Sequence, residues 1–144
     1  PNLTALVGRR PNVLLAEDHA SSVEVLRSIL ELACCDLCVV GRGDLAVEEV
    51  QSRQFDLILM DVQMPVMDGL TAIRSIRGLP GAGARTPIIA LTAMALWGDR
   101  ERCLQAGADD YISKPVDLDQ MFAAMLRQLQ APRPSESTVS EPVP

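Results

Sequence analysis

Leu57-Ile58-Leu59-Met60-Asp61 begins the stretch that decides the fold, and Val62-Gln63-Met64-Pro65-Val66-Met67-Asp68-Gly69 completes it. The apolar run shows no alternation with polar residues, which predicts a strand that is buried on both faces, as in a parallel sheet. We predict this strand over Phe55–Met60. Asp61 follows it, at the carboxyl edge of the sheet, where open α/β folds hold their functional sites.

The segments on either side repeat the same arrangement of a short apolar run followed by helical spacing. We predict further strands at residues 13–16, 37–40, 88–91 and 110–112. We predict helices at about residues 23–33, 44–52, 70–79, 98–106 and 118–129, with Asp44 as the N-cap of the second helix.

This alternation of strands and helices predicts βαβ units and a parallel sheet that is covered on both faces. Because crossover connections are right-handed, few topologies remain. We predict an α/β, flavodoxin-like (βα)5 three-layer sandwich with a five-stranded sheet in the order 2-1-3-4-5. That order leaves a crevice between the first and third strands.

Composition limits the classes of protein to which the chain can belong. Its 144 residues suit one domain, and the net charge of −6 argues against sequence-independent nucleic-acid binding, which needs a basic face. We expect no membrane contact by this domain, since the sequence contains no apolar run of membrane-spanning length and no signal peptide. The chain begins at Pro1, and we expect it to be a piece of a longer protein.

Three segments are expected. Residues 1–11 form an N-terminal extension, residues 12–130 form the folded domain, and residues 131–144 form a linker or disordered tail rich in Pro and Ser. Three of the four cysteines, Cys34, Cys35 and Cys38, are clustered, but their spacing matches no standard zinc site. We therefore expect buried, reduced thiols and a cytoplasmic location, in a parent protein that could itself be anchored in a membrane.

Polar residues collect where the predicted strands end. Glu17-Asp18 follows the first strand, Asp61 the third, Thr92 the fourth, and Ser113-Lys114 the fifth. Three carboxylates in one crevice repel one another, and a divalent cation with oxygen ligands, such as Mg²⁺, relieves that repulsion. A metal ion, an ammonium group and a hydroxyl around one carboxylate suit phosphoryl transfer to that carboxylate.

Each of these residues also has a purely structural interpretation. A single Asp after a strand is most often a turn or cap residue, and an acidic pair often begins a helix. Thr92 could be a helix cap, Lys114 a solvated surface residue and Tyr111 a core residue. Their joint occurrence at the strand ends favours a functional site.

The chain resembles the receiver domain of two-component response regulators over residues 12–130, and most closely the receiver modules of hybrid sensor histidine kinases. The resemblance rests on four stretches: Glu17-Asp18, Met60 to Gly69, Ala90-Leu91-Thr92-Ala93, and Gly107 to Pro115.

The resemblance implies a role for each matching residue. Asp61 is the expected phosphoacceptor, taking its phosphoryl group from the phosphohistidine of a histidine kinase or histidine phosphotransfer domain. Mg²⁺ is expected on the side chains of Glu17, Asp18 and Asp61 and on the backbone carbonyl of Gln63. The remaining implied roles are Thr92 and Tyr111 as switch residues, Lys114 as the phosphoryl contact, and a cis bond at Lys114–Pro115.

The resemblance further implies phosphorelay signalling, in which Mg²⁺-dependent phosphorylation switches the face formed by helix 4, strand 5 and helix 5. That face is also a possible homodimer surface. The isolated domain is expected to show only self-phosphorylation and slow autodephosphorylation, within a parent sensor histidine kinase.

Three positions depart from the pattern of the resemblance. His19 stands where such receivers often have Asn, Thr71 stands where Glu is common, and Trp97 lies at the start of the predicted fourth helix. His19 could tune the mouth of the crevice, although a plain surface position is favoured. Trp97 could contact a partner or simply pack.

Two other functions compete with the receiver interpretation. A phosphatase or mutase with an aspartyl-phosphate intermediate needs a second acid/base group near the nucleophile, and Gln63, two residues after Asp61, cannot supply one. A degenerate receiver used only for docking is disfavoured by the intact set of site residues.

Overall fold

The computed structural model describes residues 8–64, 66–92 and 98–130. Trp97, the tail at residues 131–144 and most of the N-terminal extension lie outside the described residues. The helices and strands, in chain order, are β1 (Asn12–Ala16), α1 (Ala20–Leu32), β2 (Asp36–Val40), α2 (Gly43–Ser52), β3 (Leu57–Asp61), α3 (Gly69–Arg77), a 3-10 turn (Ala82–Arg85), β4 (Ile88–Thr92), α4 (Asp99–Ala106), β5 (Asp110–Ser113) and α5 (Leu118–Gln130).

The five strands form one parallel sheet in the order β2-β1-β3-β4-β5, which confirms the predicted topology. β1 and β3 are neighbours, with Ala16 opposite Met60. Asp61 is opposite Leu91 of β4. The ends of β1, β3 and β4 therefore meet at one edge of the sheet, as the alternation of elements predicted.

The sheet separates two aliphatic cores because successive strand side chains point to opposite faces. Leu57 and Leu59 of β3 pack with α1 and α5, whereas Ile58 and Met60 pack with α2, α3 and α4. All five residues of β3 are buried. Burying each large side chain contributes about 1.5–3 kcal/mol, so this central strand anchors the carboxylate at its end on a rigid support.

Some predicted boundaries differ from the structure. α2 begins at Gly43 with Arg42 as its N-cap, so the prediction of Asp44 as the cap was wrong. Asp44 lies in the first turn instead, where a carboxylate favours the helix dipole, and it pairs with Arg42 at 2.7 Å. α3 ends at Arg77 because Gly78 is its C-cap, and Leu79 packs just beyond the helix.

The third strand was predicted over Phe55–Met60, whereas the structure places it two residues later at its start, Leu57, and one residue later at its end, Asp61. Asp61 joins the strand because its backbone continues the pairing with β4. All four cysteines lie in the described residues. Cys35, Cys38 and Cys103 are free thiols; Cys35 and Cys103 are buried, whereas Cys34 and Cys38 are only half-buried. Within the described ranges, none of the helices has the length and apolarity to cross a membrane.

Candidate functional site

Four predicted site residues lie at the carboxyl edge of the sheet. Glu17 follows β1, and its backbone N–H donates to the carbonyl of Val40 at 2.9 Å. Asp61 ends β3 and Thr92 ends β4. Lys114 follows β5, with its backbone N–H donating to the carbonyl of Thr92 at 2.7 Å. The strand ladder thus extends into the site and fixes the backbone positions of these residues.

Lys114 joins the two buried carboxylates. Its Nζ lies 3.2 Å from Asp61 Oδ2 and also donates a shorter hydrogen bond to Glu17 Oε1. The side chains of Glu17 and Asp61 are 0 % and 3 % exposed. The backbone N–H of Gln63 donates to the other oxygen of Asp61, Oδ1, at 3.0 Å. Both oxygens of Asp61 therefore have defined partners.

Burial and the neighbouring carboxylate set the protonation of Asp61. Burial, followed by the hydrogen bond with Glu17, raises the pKa of Asp61 to about 6, and the N–H of Gln63 and the ammonium of Lys114 only partly oppose this rise. Burial also acts to raise the pKa of Glu17, but hydrogen bonds from Asp61 and Lys114 outweigh it and the pKa is lowered.

For the ammonium group of Lys114, burial and the neighbouring carboxylates have opposite effects on the pKa. Burial acts to lower the pKa of Lys114, but its contacts with Glu17 and Asp61 outweigh burial and raise the pKa. Two buried carboxylates thus share one cation, which leaves an excess of negative charge in a poorly solvated crevice.

The donor set suits a divalent cation. Glu17, Asp18, His19 and Asp61 each offer one ligand atom, and these atoms all lie within 4.8 Å of one another. Carboxylate oxygens are the ligands that Mg²⁺ prefers, and the exposed side of the cluster leaves room for the waters that Mg²⁺ retains. The three side chains predicted as metal ligands are therefore brought together.

His19 is the member of this cluster that sequence reasoning undervalued. Its side chain is 69 % exposed, as expected for a surface residue, yet Nδ1 lies 3.3 Å from Asp18 Oδ1. The sequence feature that could have identified His19 is its position directly after Glu17-Asp18, because the chain turns into α1 there and keeps the imidazole near those carboxylates.

Thr92 and Tyr111 share one face of the sheet. Tyr111 is opposite Ala90, and both belong to the core on the α2, α3 and α4 side. Thr92 comes two residues after Ala90, so its side chain points to the same side. Thr92 is buried and Tyr111 half-buried. The predicted pair of switch residues therefore lies on one side of adjacent strands.

The loop after Asp61 returns to the strand through Gly69. The backbone N–H of Gly69 donates to the carbonyl of Val62 at 2.8 Å. A Cβ at Gly69 would collide with the backbone carbonyl of Asp61 and lie 2.7 Å from Val62 Cα. This close approach explains why glycine occupies the position.

Asp68 caps α3 just before that glycine. Its Oδ1 accepts from the backbone N–H of Thr71 at 2.9 Å, and its Oδ2 accepts from the Thr71 hydroxyl at 3.1 Å. Thr71 thus completes the helix cap at the position where receivers of this type commonly have Glu. The peptide bond between Lys114 and Pro115 is cis, as predicted.

Comparisons with known proteins agree with this arrangement. Residues 13–126 match the response regulator receiver domain family. The chain is 38 % identical over 124 residues to sensor protein GacS of Pseudomonas syringae pv. syringae, and 37 % identical over 115 residues to signal transduction histidine-protein kinase BarA of Escherichia coli K12. The matches cover 85 % and 80 % of this chain but only 14 % and 12 % of those proteins.

Solved structures give the same result. The receiver domain of a sensor histidine kinase from Pseudomonas aeruginosa PAO1 is 39 % identical, with a TM-score of 0.79; the match covers 85 % of this chain and 99 % of that one. That structure has a magnesium ion coordinated in its active site cleft. A receiver domain of a Francisella response regulator matches with a TM-score of 0.77 at 26 % identity, covering 84 % of this chain and 98 % of that one.

Proposed function

This chain belongs to the response regulator receiver domain family, and from that premise we propose that Asp61 accepts a phosphoryl group from a phosphohistidine. One observation carries the proposal. Asp61 is a buried carboxylate whose two oxygens face the N–H of Gln63 and the ammonium of Lys114, within a cluster of cation ligands. That environment suits the nucleophile of a phosphoryl transfer.

The transfer uses the carboxylate as an in-line nucleophile. A bond forms between an oxygen of Asp61 and phosphorus while the P–N bond of the phosphohistidine breaks, and its electron pair leaves with the imidazole nitrogen. Lys114 already faces Asp61 at 3.2 Å and neutralises negative charge on the phosphoryl oxygens. Glu17 holds the ammonium in place through the second hydrogen bond.

A divalent cation held by Glu17, Asp18, Asp61 and the backbone carbonyl of Gln63 would supply further neutralisation of the phosphoryl oxygens. We propose Mg²⁺ as this cation. The oxygen-rich donor set supports that choice, and so does the magnesium in the related receiver structure.

Phosphorylation adds charge and acceptor oxygens at the end of β3. Thr92, at the end of the neighbouring strand β4, is the proposed donor of a hydroxyl hydrogen bond to the new group. Tyr111 lies on the same face and follows that movement. The face formed by α4, β5 and α5 then changes its population of conformers, which is a two-state shift driven by one local charge.

We place this receiver over residues 12–130, within a hybrid sensor histidine kinase. Its relatives are sensor kinases of which this chain spans only a small part, which supports that assignment. The proposed phosphodonor is a histidine kinase or a histidine phosphotransfer domain, and the α4–β5–α5 face is the proposed homodimer surface. The free thiols of Cys35, Cys38 and Cys103 suit the reducing cytoplasm. Turnover is limited to self-phosphorylation and slow autodephosphorylation.

The proposal is tested by labelling the chain with a small phosphodonor, acetyl phosphate, with and without Mg²⁺. Intact mass spectrometry is expected to show one phosphoryl group per chain, dependent on Mg²⁺ and lost in Asp61→Asn. Asp119→Asn, which removes an exposed carboxylate from the first turn of α5, is the matched control and should label normally. Equal labelling of Asp61→Asn and the unmodified chain would reject Asp61 as the acceptor.

A further inference from the structure

His19 is the one histidine of the sequence, and its imidazole points at the acidic cluster. It occupies the N-cap of α1, but among the described residues its side chain makes no capping hydrogen bond. Its Nδ1 lies 3.3 Å from Asp18 Oδ1 and 3.6 Å from Glu17 Oε2. The ring is thus not used to cap the helix and faces two carboxylates.

These separations match those of ligands around one cation. In a tetrahedral site, ligand atoms about 2.1 Å from the metal lie about 3.4 Å from one another. The two distances from Nδ1, 3.3 and 3.6 Å, are close to that separation, and the full set of four ligand atoms spans no more than 4.8 Å. A contraction of at most about 1.4 Å in the longest separation would complete the coordination.

Imidazole changes which metals such a site prefers. Carboxylates alone suit Mg²⁺, which keeps several waters and gains little from a nitrogen ligand. Zn²⁺ binds imidazole and carboxylate together and accepts four protein ligands.

We propose that His19 is a fourth ligand when Zn²⁺ occupies the site of Asp61, so that its imidazole raises the affinity of this receiver for Zn²⁺ but not its affinity for Mg²⁺. The inference rests on the proposed cation site and deepens it. It assigns to His19 a role in metal selectivity, because Nδ1 is the sole nitrogen donor in the cluster formed by Glu17, Asp18, His19 and Asp61.

The first test reads the ring nitrogen directly. The tag-free, ¹⁵N-labelled chain has a single imidazole, so its ¹⁵Nδ1 signal is assigned without ambiguity. Zn²⁺ is expected to shift that signal strongly, whereas Mg²⁺ is expected to move the backbone amide of Gln63 and leave the ring nitrogen nearly unchanged. A Zn²⁺ titration that moves the Gln63 amide without moving ¹⁵Nδ1 would overturn the proposal.

The second test compares affinities in His19→Asn, which keeps a polar side chain at the N-cap and removes the imidazole. Zn²⁺ affinity, read at the Gln63 amide, is expected to fall by about 10-fold or more. Mg²⁺ affinity should change by less than about 2-fold, since Mg²⁺ is bound through oxygen. Reading the amide beside Asp61 separates this site from zinc bound by the half-buried thiols of Cys34 and Cys38.

The two proposals fail in different ways. Equal Zn²⁺ affinity in His19→Asn and the unmodified chain would overturn the role of His19 and leave the phosphoacceptor site standing. Absence of any Mg²⁺ response at the Gln63 amide would count against the proposed Mg²⁺ site, whatever Zn²⁺ does at the imidazole.

Discussion

Replacing Gly69 with alanine tests whether the backbone of the site is as tightly packed as the structure indicates. Gly69 is the first residue of α3 and is buried against the end of β3. A Cβ at this position would collide with the Asp61 carbonyl oxygen and lie 2.7 Å from Val62 Cα. Two carbon atoms ordinarily approach to about 3.5–4.0 Å, so the overlap with Val62 is close to 1 Å.

The atoms that would have to move are held on both sides. The backbone N–H of Val62 donates to Leu91 in β4 at 2.9 Å, and the N–H of Gly69 donates to Val62 at 2.8 Å. Overpacking costs about 1–3 kcal/mol, and more where the backbone is fixed. The higher helix propensity of alanine returns at most about 1 kcal/mol.

We therefore expect Gly69→Ala to lower the free energy of unfolding by about 2 kcal/mol, and the melting temperature by roughly 6–10 °C in a domain of this size. Urea and thermal denaturation followed by far-ultraviolet circular dichroism measure both quantities. Because the displaced atoms belong to the backbone of Asp61, phosphoryl labelling should fall as well.

Gly78→Ala is the matched control. A Cβ there would lie 3.6 Å from the Arg74 carbonyl oxygen, which is ordinary contact, and Gly78 has a φ of −87°. Its stability should stay within about 0.5 kcal/mol of the unmodified chain or rise slightly. If Gly69→Ala proves as stable as Gly78→Ala, the close approach of α3 to β3 is not a constraint and the reasoning fails.

Two further substitutions test the electrostatics. The pKa of Asp61 is raised from 3.8 to about 6, so its stabilising contribution is complete below pH 4 and is lost as the pH rises through 6. Without metal at about pH 8, Asp61→Asn should therefore raise the free energy of unfolding by up to about 3 kcal/mol, and this difference should vanish at about pH 3. Urea denaturation of both chains in the presence of a chelator, from about pH 3 to about pH 8, measures the difference. A difference that does not change with pH would contradict the raised pKa of Asp61. Arg77 donates to three backbone carbonyls and, at 2.7 Å, to Asp109. Arg77→Met should cost about 2–4 kcal/mol in urea denaturation, while Arg74→Met, which removes an exposed arginine of the same helix, should cost almost nothing. Similar losses in the two variants would contradict the role of the partly buried guanidinium of Arg77.

The fold could be read from the sequence because its strands carry strong local signals. β3 and β4 are continuous apolar runs, and α5 has a clear apolar face, so their type and approximate position follow from periodicity alone. Boundaries were less certain. The prediction of Asp44 as an N-cap failed because aspartate is favoured both at the N-cap and in the first turn of a helix, and the sequence alone does not distinguish the two positions.

The set of polar residues at the site was also predictable, because parallel strands bring their carboxyl ends to one edge. That rule places Glu17, Asp61 and Thr92 together without knowledge of any contact. The roles assigned to these residues remain predictions, which the labelling experiment addresses.

The sequence by itself determined the alternation of strands and helices, and with it a parallel sheet and the polar residues at its carboxyl edge, since these follow from periodicity and the rules for crossover connections. Only the tertiary structure decided which partners each of those side chains contacts. Lys114 is 97 residues from Glu17 in the chain, and its ammonium bonds Glu17 as well as Asp61. Two other features also appear only in the tertiary structure: the close approach of Asp61 and Val62 that requires glycine at position 69, and the orientation of the His19 ring toward Asp18. Such contacts depend on side-chain rotamers and on distances between separate elements, which are fixed only when the two cores pack against the sheet.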